Sequence, residues 1–214
     1  MNLFINYLVE DPFFFFAWIL IVVFSICVHE YAHAYTALRL GDDTAARAGH
    51  LTLNPLVQMG PMSLVFLAMI GIAWGSVPVA IQRFRQAWAG AVVAVAGPAS
   101  NLALSLIFAL LGAVALLLTG GGLSPDVQLF LRLGSVANAV LFVLNMLPVP
   151  MLDGWSVFSY FFPAMRRITP GQAQHVTLLL IAAIFLTPLG RMIWATGGGI
   201  ANIFAGLCSF VLGV

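Results

Sequence analysis

Apolar residues run along this chain in long blocks, and the polar residues fall between the blocks rather than alternating with them. A half-buried strand alternates every second residue and a surface helix carries an apolar stripe, so neither accounts for blocks that are apolar all round. Six stretches stand out. The first, Phe13 to Leu38, is long enough to cross a bilayer with some tilt. The polar loop "GDDTAARAGHLTLNP" follows, and its "HLTL" predicts a short strand. The second stretch, Met62 to Trp74, has only 13 residues before "GSVP". About 20 are needed to span, so it predicts a re-entrant or interfacial piece. The third, Ala87 to Leu118, contains Gly97-Pro98 and ends at "TGGGLSPD". The fourth, Val127 to Leu147, breaks at "PVPMLDG", and "WSVFSYFFPAM" is a short apolar patch before Arg166-Arg167. The fifth runs from Val176 to Trp194, and the last, Ile200 to Val214, is short for a span. The pattern predicts an all-α polytopic membrane protein. It has about 5–6 membrane segments, one of them re-entrant or short, and a small β element after the first helix. No repeat is visible, and no loop is long enough to hold a soluble domain, so residues 1–214 read as one domain.

Composition agrees with the pattern. The chain is 62% hydrophobic and 7% charged, where a soluble domain is about 25% charged. The formal net charge of +1 leaves no basic patch for nucleic acid, and the lipid bilayer is the expected surrounding. Cys27 and Cys208, the only cysteines, both lie in apolar runs and supply neither a disulfide framework nor a cysteine zinc site. The opening "MNLFINYLVEDP" has no Lys or Arg and does not resemble a cleaved signal peptide.

Against this background "CVHEYAHAYTAL", Cys27 to Leu38, is out of place, because ionisable groups are costly inside a membrane span. His29-Glu30-Tyr31-Ala32-His33 reads as HExxH. Residues four apart share a helix face, so both imidazoles can bind one metal with Glu30 beside it. With 4 His and only two Glu in the chain, shuffling yields the pattern roughly once in a thousand sequences. Catalytic zinc takes three protein ligands and keeps one open position. The third ligand is to be found among Asp42, Asp43, His50, Asp126, Asp153 and His175. Asp42 and Asp43 follow the helix directly and read as a solvated loop. Asp126, after Pro125, reads as a cap, and His50 and His175 as structural or interface residues. Asp153 stands at the end of an apolar span, after two prolines and before Gly154, which delivers a carboxylate into the membrane on a broken helix. The other reading of Asp153 is a cap for the helix "GWSVFSYFF".

The sequence resembles the site-2 protease family of intramembrane zinc metalloproteases. The family's second signature, N-x-x-P-x-x-x-L-D-G, is matched in full from Asn145 through Pro148, Leu152 and Asp153 to Gly154. "AGPASN", Ala96 to Asn101, resembles its G-P-x-x-N segment, and "GHLTLNP", Gly49 to Pro55, a stretch after its first motif helix. The resemblance covers roughly residues 13–165, the expected catalytic core of a minimal member without PDZ or CBS domains. It implies that His29, His33 and Asp153 bind one zinc per chain and that Glu30 is the catalytic carboxylate. The implied activity is hydrolysis of peptide bonds within or near transmembrane segments of membrane-protein substrates, that is, regulated intramembrane proteolysis. Asn145 is a candidate oxyanion donor or substrate-binding residue, with an interhelical hydrogen bond as the alternative. Asn101 and Ser100 are expected to tie helices together, and Gly97 and Pro98 to allow close packing and a kink. A membrane metal-binding or transport protein is the rival class, but it calls for several ionisable groups along a pore, and the other spans supply almost none. A catalytically inactive relative is a second rival, against which an intact Glu30 speaks.

Topology follows from charge. Arg39 and Arg47 after the first span mark its end as cytoplasmic by the positive-inside rule. Asp153 must meet the histidines, so the fourth span runs in the same direction as the first, and the third crosses back between them. The second stretch then does not cross, and Arg83, Arg85, Arg166 and Arg167 fall on the cytoplasmic side. The expected location is a prokaryotic cell membrane with the site toward the cytoplasm.

Overall fold

The computed structural model describes residues 3–214, apart from the side chain of Phe185. Helix α1 (Pro12–Arg39) opens on Asp11, whose carboxylate accepts from the Phe14 N–H at 3.0 Å. Pro12 occupies the first helical position, where its missing N–H would have had no partner. The helix closes at Gly41, whose φ of +101° turns the chain back. The Asp42 N–H then donates to the Ala37 carbonyl at 2.9 Å. There follow α2 (Gly60–Ile70), α3 (Ala89–Leu118), α4 (Pro125–Asn145), α5 (Asp153–Phe161), α6 (Pro170–Leu186) and α7 (Leu189–Leu212). Of these, α1, α3, α4 and α7 are long and apolar enough to cross a membrane. The 11 residues of α2 are too few, in agreement with the short block in the sequence. The chain returns after α2 to the end of α1 that it left, because Asp43 pairs there with Arg47 at 2.6 Å and with Arg83.

Helix α3 packs against α1, α4 and α7, and α4 packs against α7. Lipid is as apolar as leucine, so membrane helices associate through close packing of small residues and through polar bonds. Ala109 and Ala113 of α3 accordingly meet Cys208 of α7, and Ser135 of α4 donates to the Ser105 carbonyl of α3 at 2.9 Å. Val22, Ile26 and Cys27 of α1 form a second cluster with Met59 and with Leu67 of α2. Leu20, Leu118, Phe210 and Val211 point outward, as expected of residues facing lipid.

Three expectations change. No strand forms among the described residues. His50 to Leu53 are irregular, because the His50 and Thr52 carbonyls accept from the buried Gln58 side chain, at 2.9 and 2.6 Å, in place of a partner strand. The last break in the apolar pattern falls at Thr187-Pro188 and not at the glycine run before Ile200. Thr187 is extended, as a residue before proline prefers. The glycines continue α7 because Gly197 packs on Val140 of α4, so closely that a Cβ would lie 2.5 Å from Val140 Cγ2. Asp42 is fully buried, not solvated. Its oxygens accept from the Thr44 and Ala80 N–H groups at 3.0 and 2.6 Å.

Candidate active site

His29 and His33 lie one turn apart on α1, each 6% exposed, with Glu30 beside them at 7%. The outer nitrogen of each ring is held by α3. His29 Nδ1 is 2.6 Å from Asn101 Oδ1, and His33 Nδ1 is 2.7 Å from the Val93 carbonyl oxygen. The Asn101 orientation is set by its own neighbours: its Nδ2 donates to Asn138 Oδ1 at 3.0 Å, and Asn138 Nδ2 donates to the Gly134 carbonyl at 2.9 Å. Both histidines therefore face an acceptor, which places the proton on Nδ1 and leaves a lone pair on Nε2.

Helix α4 ends at Asn145, and Pro148 and Pro150 prevent its continuation. Met151 then adopts φ +71°, a left-handed conformation unusual for a non-glycine residue. That turn delivers Asp153 as the first residue of α5. Its carboxylate does not cap the helix. Instead Oδ2 lies 3.0 Å from His29 Nε2 and Oδ1 3.2 Å from His33 Nε2. The two Nε2 atoms are 3.0 Å apart. With both rings neutral and protonated on Nδ1, two lone pairs and a carboxylate converge on one point, the donor arrangement that a metal cation fills. A tetrahedral metal with bonds of about 2.0–2.1 Å has donors roughly 3.3 Å apart. The observed separations and the N, N, O donor set fit zinc, and His29, His33 and Asp153 are the residues that could hold it.

The group opens onto a cavity of about 600 Å³. Glu30, Asn145 and Asp153 line it together with Trp74, Gly75 and Val77. Gly75 presses on Glu30, since a Cβ at that position would be 2.5 Å from Glu30 Cγ. Asn145 lines the cavity while donating to the Leu141 carbonyl of its own helix at 3.0 Å, so the interhelical bond considered for it is not the one it makes. The remaining candidates stand apart. His50 Nδ1 lies 3.2 Å from Gln58 Oε1, Asp43 pairs with arginines, and Asp126 and His175 are exposed. Asn101 ties α3 to α1 and α4, as expected, and its partner on α1 is His29, which "AGPASN" alone does not reveal, whereas Ser100 bonds the Gly97 carbonyl of its own helix.

Comparison with known proteins decides the family. The chain is 35% identical over 184 residues to the protein named "Putative zinc metalloprotease YwhC" of Bacillus subtilis, covering 82% of each. The chain belongs to the site-2 protease family. Two further relatives carry the name "Putative zinc metalloprotease Rip2". Those of Mycolicibacterium smegmatis and Mycobacterium tuberculosis are 33% and 32% identical over 174 residues, and the match spans 77% of this chain and 64% of theirs. No family model matches the chain, and no solved structure matches it. Within the site-2 protease family, the two motifs that carried the resemblance are the segments that supply His29, Glu30, His33 and Asp153 to one cavity.

Proposed function

We propose that this protein is an intramembrane zinc metalloprotease that hydrolyses peptide bonds within or near transmembrane segments of other membrane proteins. The observation that carries the reading is the meeting of two Nε2 lone pairs and a carboxylate beside Glu30, in a cavity among helices apolar enough to span a membrane. In this reading His29, His33 and Asp153 hold one zinc. Bound zinc supplies Lewis acidity, which favours ionisation of a water and stabilises negative charge on a carbonyl oxygen. Glu30 takes the proton of the attacking water as the new C–O bond forms. It then gives that proton to the amide nitrogen as the C–N bond breaks, which completes hydrolysis. Asn145 serves as a polar donor to the substrate carbonyl or backbone. A substrate helix hides its carbonyls in its own hydrogen bonds and must unwind before attack, so residues of low helix propensity near the cut favour cleavage.

The cavity opens toward the cytoplasm of a prokaryotic cell in this reading. Arg39 on α1 and the Arg47–Asp43–Arg83 group past its end support that orientation. The deciding experiment is Glu30→Gln in purified protein, with zinc content and peptide cleavage measured together. Zinc is expected to stay at about one per chain and cleavage to fall roughly a hundredfold or more. Cleavage at the parent rate would overturn the assignment of Glu30, and a parent that binds no zinc would overturn the reading as a whole.

A further inference from the structure

Residues 71–80 form neither helix nor strand, Ala73 to Val77 and Val79 line the cavity, and four anchors hold the segment there. Trp18 Nε1 donates to the Gly71 carbonyl at 2.9 Å. Ser63 Oγ donates to the Trp74 carbonyl at 2.7 Å and accepts from the Trp74 N–H at 2.9 Å. The Ser76 N–H donates to the Gln58 carbonyl at 3.0 Å. At the far end the Ala80 N–H donates to Asp42 Oδ2 at 2.6 Å. Asp42 Oδ1 meanwhile accepts from the Thr44 N–H at 3.0 Å and from Thr44 Oγ1 at 2.5 Å. An asparagine or serine would serve the Thr44 turn equally well. The second oxygen of a fully buried carboxylate is what reaches Ala80, 38 residues away in sequence.

We propose that Asp42 is a positioning residue: its carboxylate ties residues 71–80 to the helix that carries His29, Glu30 and His33, and so sets how that segment stands over Glu30 and the cavity. The kinetic consequence rests on the protease reading above; the tether itself does not. Asp42 lies just past α1, roughly 18 Å along the chain from Glu30 at 1.5 Å per residue, so it touches no reacting atom. Gly75, between the anchors, presses directly on Glu30. None of the anchors involves His29, His33 or Asp153, so loosening the tether leaves the metal donors in place.

The test compares Asp42→Asn with Thr44→Val in the full-length zinc-bound protein. An asparagine has one oxygen, which the adjacent Thr44 N–H and hydroxyl hold together, so its NH2 faces the Ala80 N–H, donor against donor, and the Ala80 bond is the one lost. Asp42→Asn is expected to raise KM about fivefold or more, with kcat within about twofold and zinc content unchanged. Amide exchange across residues 74–82 should quicken while α1 keeps its protection. Thr44→Val removes the hydroxyl but leaves the Ala80 bond, and should match the parent in KM and in exchange over 74–82. A purely structural Asp42 would lower the folded fraction, which reduces kcat per mole and leaves KM alone. An unchanged KM, or faster exchange confined to residues 43–48, overturns the proposal. If the parent cleaves no peptide, the protease reading fails, and parental exchange over 74–82 in Asp42→Asn would then refute the tether by itself.

Discussion

Replacing Gly97 by alanine adds one methyl group to the face of α3 that lies over both imidazoles. A Cβ there would stand 2.5 Å from His29 Nε2 and closer still to His33 Nε2. Ordinary van der Waals contact begins at 3.4 Å, so the rings or the helix must give way by about 1 Å. Neither can retreat cheaply, because Asn101 and Val93, which hold the two Nδ1 atoms, belong to α3 itself. Moving α3 breaks those bonds, and rotating the rings turns their lone pairs away. Metal–donor distances tolerate roughly 0.2 Å, several times less than the shift required. Helix propensity acts the other way, since alanine is favoured over glycine by about 1 kcal/mol, so the helix is not weakened. Gly97→Ala should therefore fold, insert and show a parental circular dichroism spectrum, yet hold less than about a tenth of the parent's zinc. Cleavage should fall by roughly a hundredfold, the usual cost of an ångström of misplacement. The assays are metal analysis of the purified protein and cleavage of a transmembrane peptide. Full zinc content together with parental cleavage would refute the site as described.

Removing the Asn101 acceptor by Asn101→Leu frees the His29 ring to change tautomer, and zinc affinity should weaken about 10- to 100-fold in a chelator competition; parental affinity would show that the contact does not orient the ligand. Single cysteines placed beside Arg47 and beside Arg83 should label from the same face of sealed vesicles, since both arginines pair with Asp43; labelling from opposite faces would break the topology. Burial alone would raise the Asp42 carboxyl, but the hydrogen bonds from Thr44 and Ala80, with the Arg83 charge, outweigh it and hold the group below its usual value. A carboxyl lowered on folding stabilises above its unfolded pKa of about 3.9 and loses that contribution as pH falls through the folded value. The melting temperature of the parent should accordingly drop more between about pH 5 and pH 3 than that of Asp42→Asn; equal drops would count against the Asp42 bonds.

What the sequence could show depended on how local each signal was. Asp11-Pro12 starts α1 and the apolar block continues it, so that helix is legible without the rest of the chain. HExxH is a one-turn spacing, and two prolines before Asp153 announce a broken span, so three metal donors and Glu30 could be named from short windows. The segment 71–80 could not. "GIAWGSVPVA" has neither helical period nor strand alternation, and its conformation is imposed by side chains of Trp18, Ser63 and Asp42 that reach it from elsewhere. The burial of Asp42 is illegible for the same reason, because a charge just past a helix end is ordinarily solvated and its distant partner leaves no trace in its own neighbourhood. The glycine run in α7 reads as a break until Val140 is seen packed against Gly197.

The amide relay behind His29 has a consequence for biogenesis. It begins at a backbone carbonyl of α4, passes through Asn138 and Asn101, and ends on a ring of α1. Each donor in it points the same way, so the tautomer presented to the metal is dictated by a helix that emerges from the ribosome long after α1. Asp153 emerges later still. A nascent chain halted before α4 carries HExxH yet has neither the set tautomer nor the third donor. Metal capture would therefore report that α1, α3, α4 and α5 have found one another, because a half-built chain lacks the complete donor set.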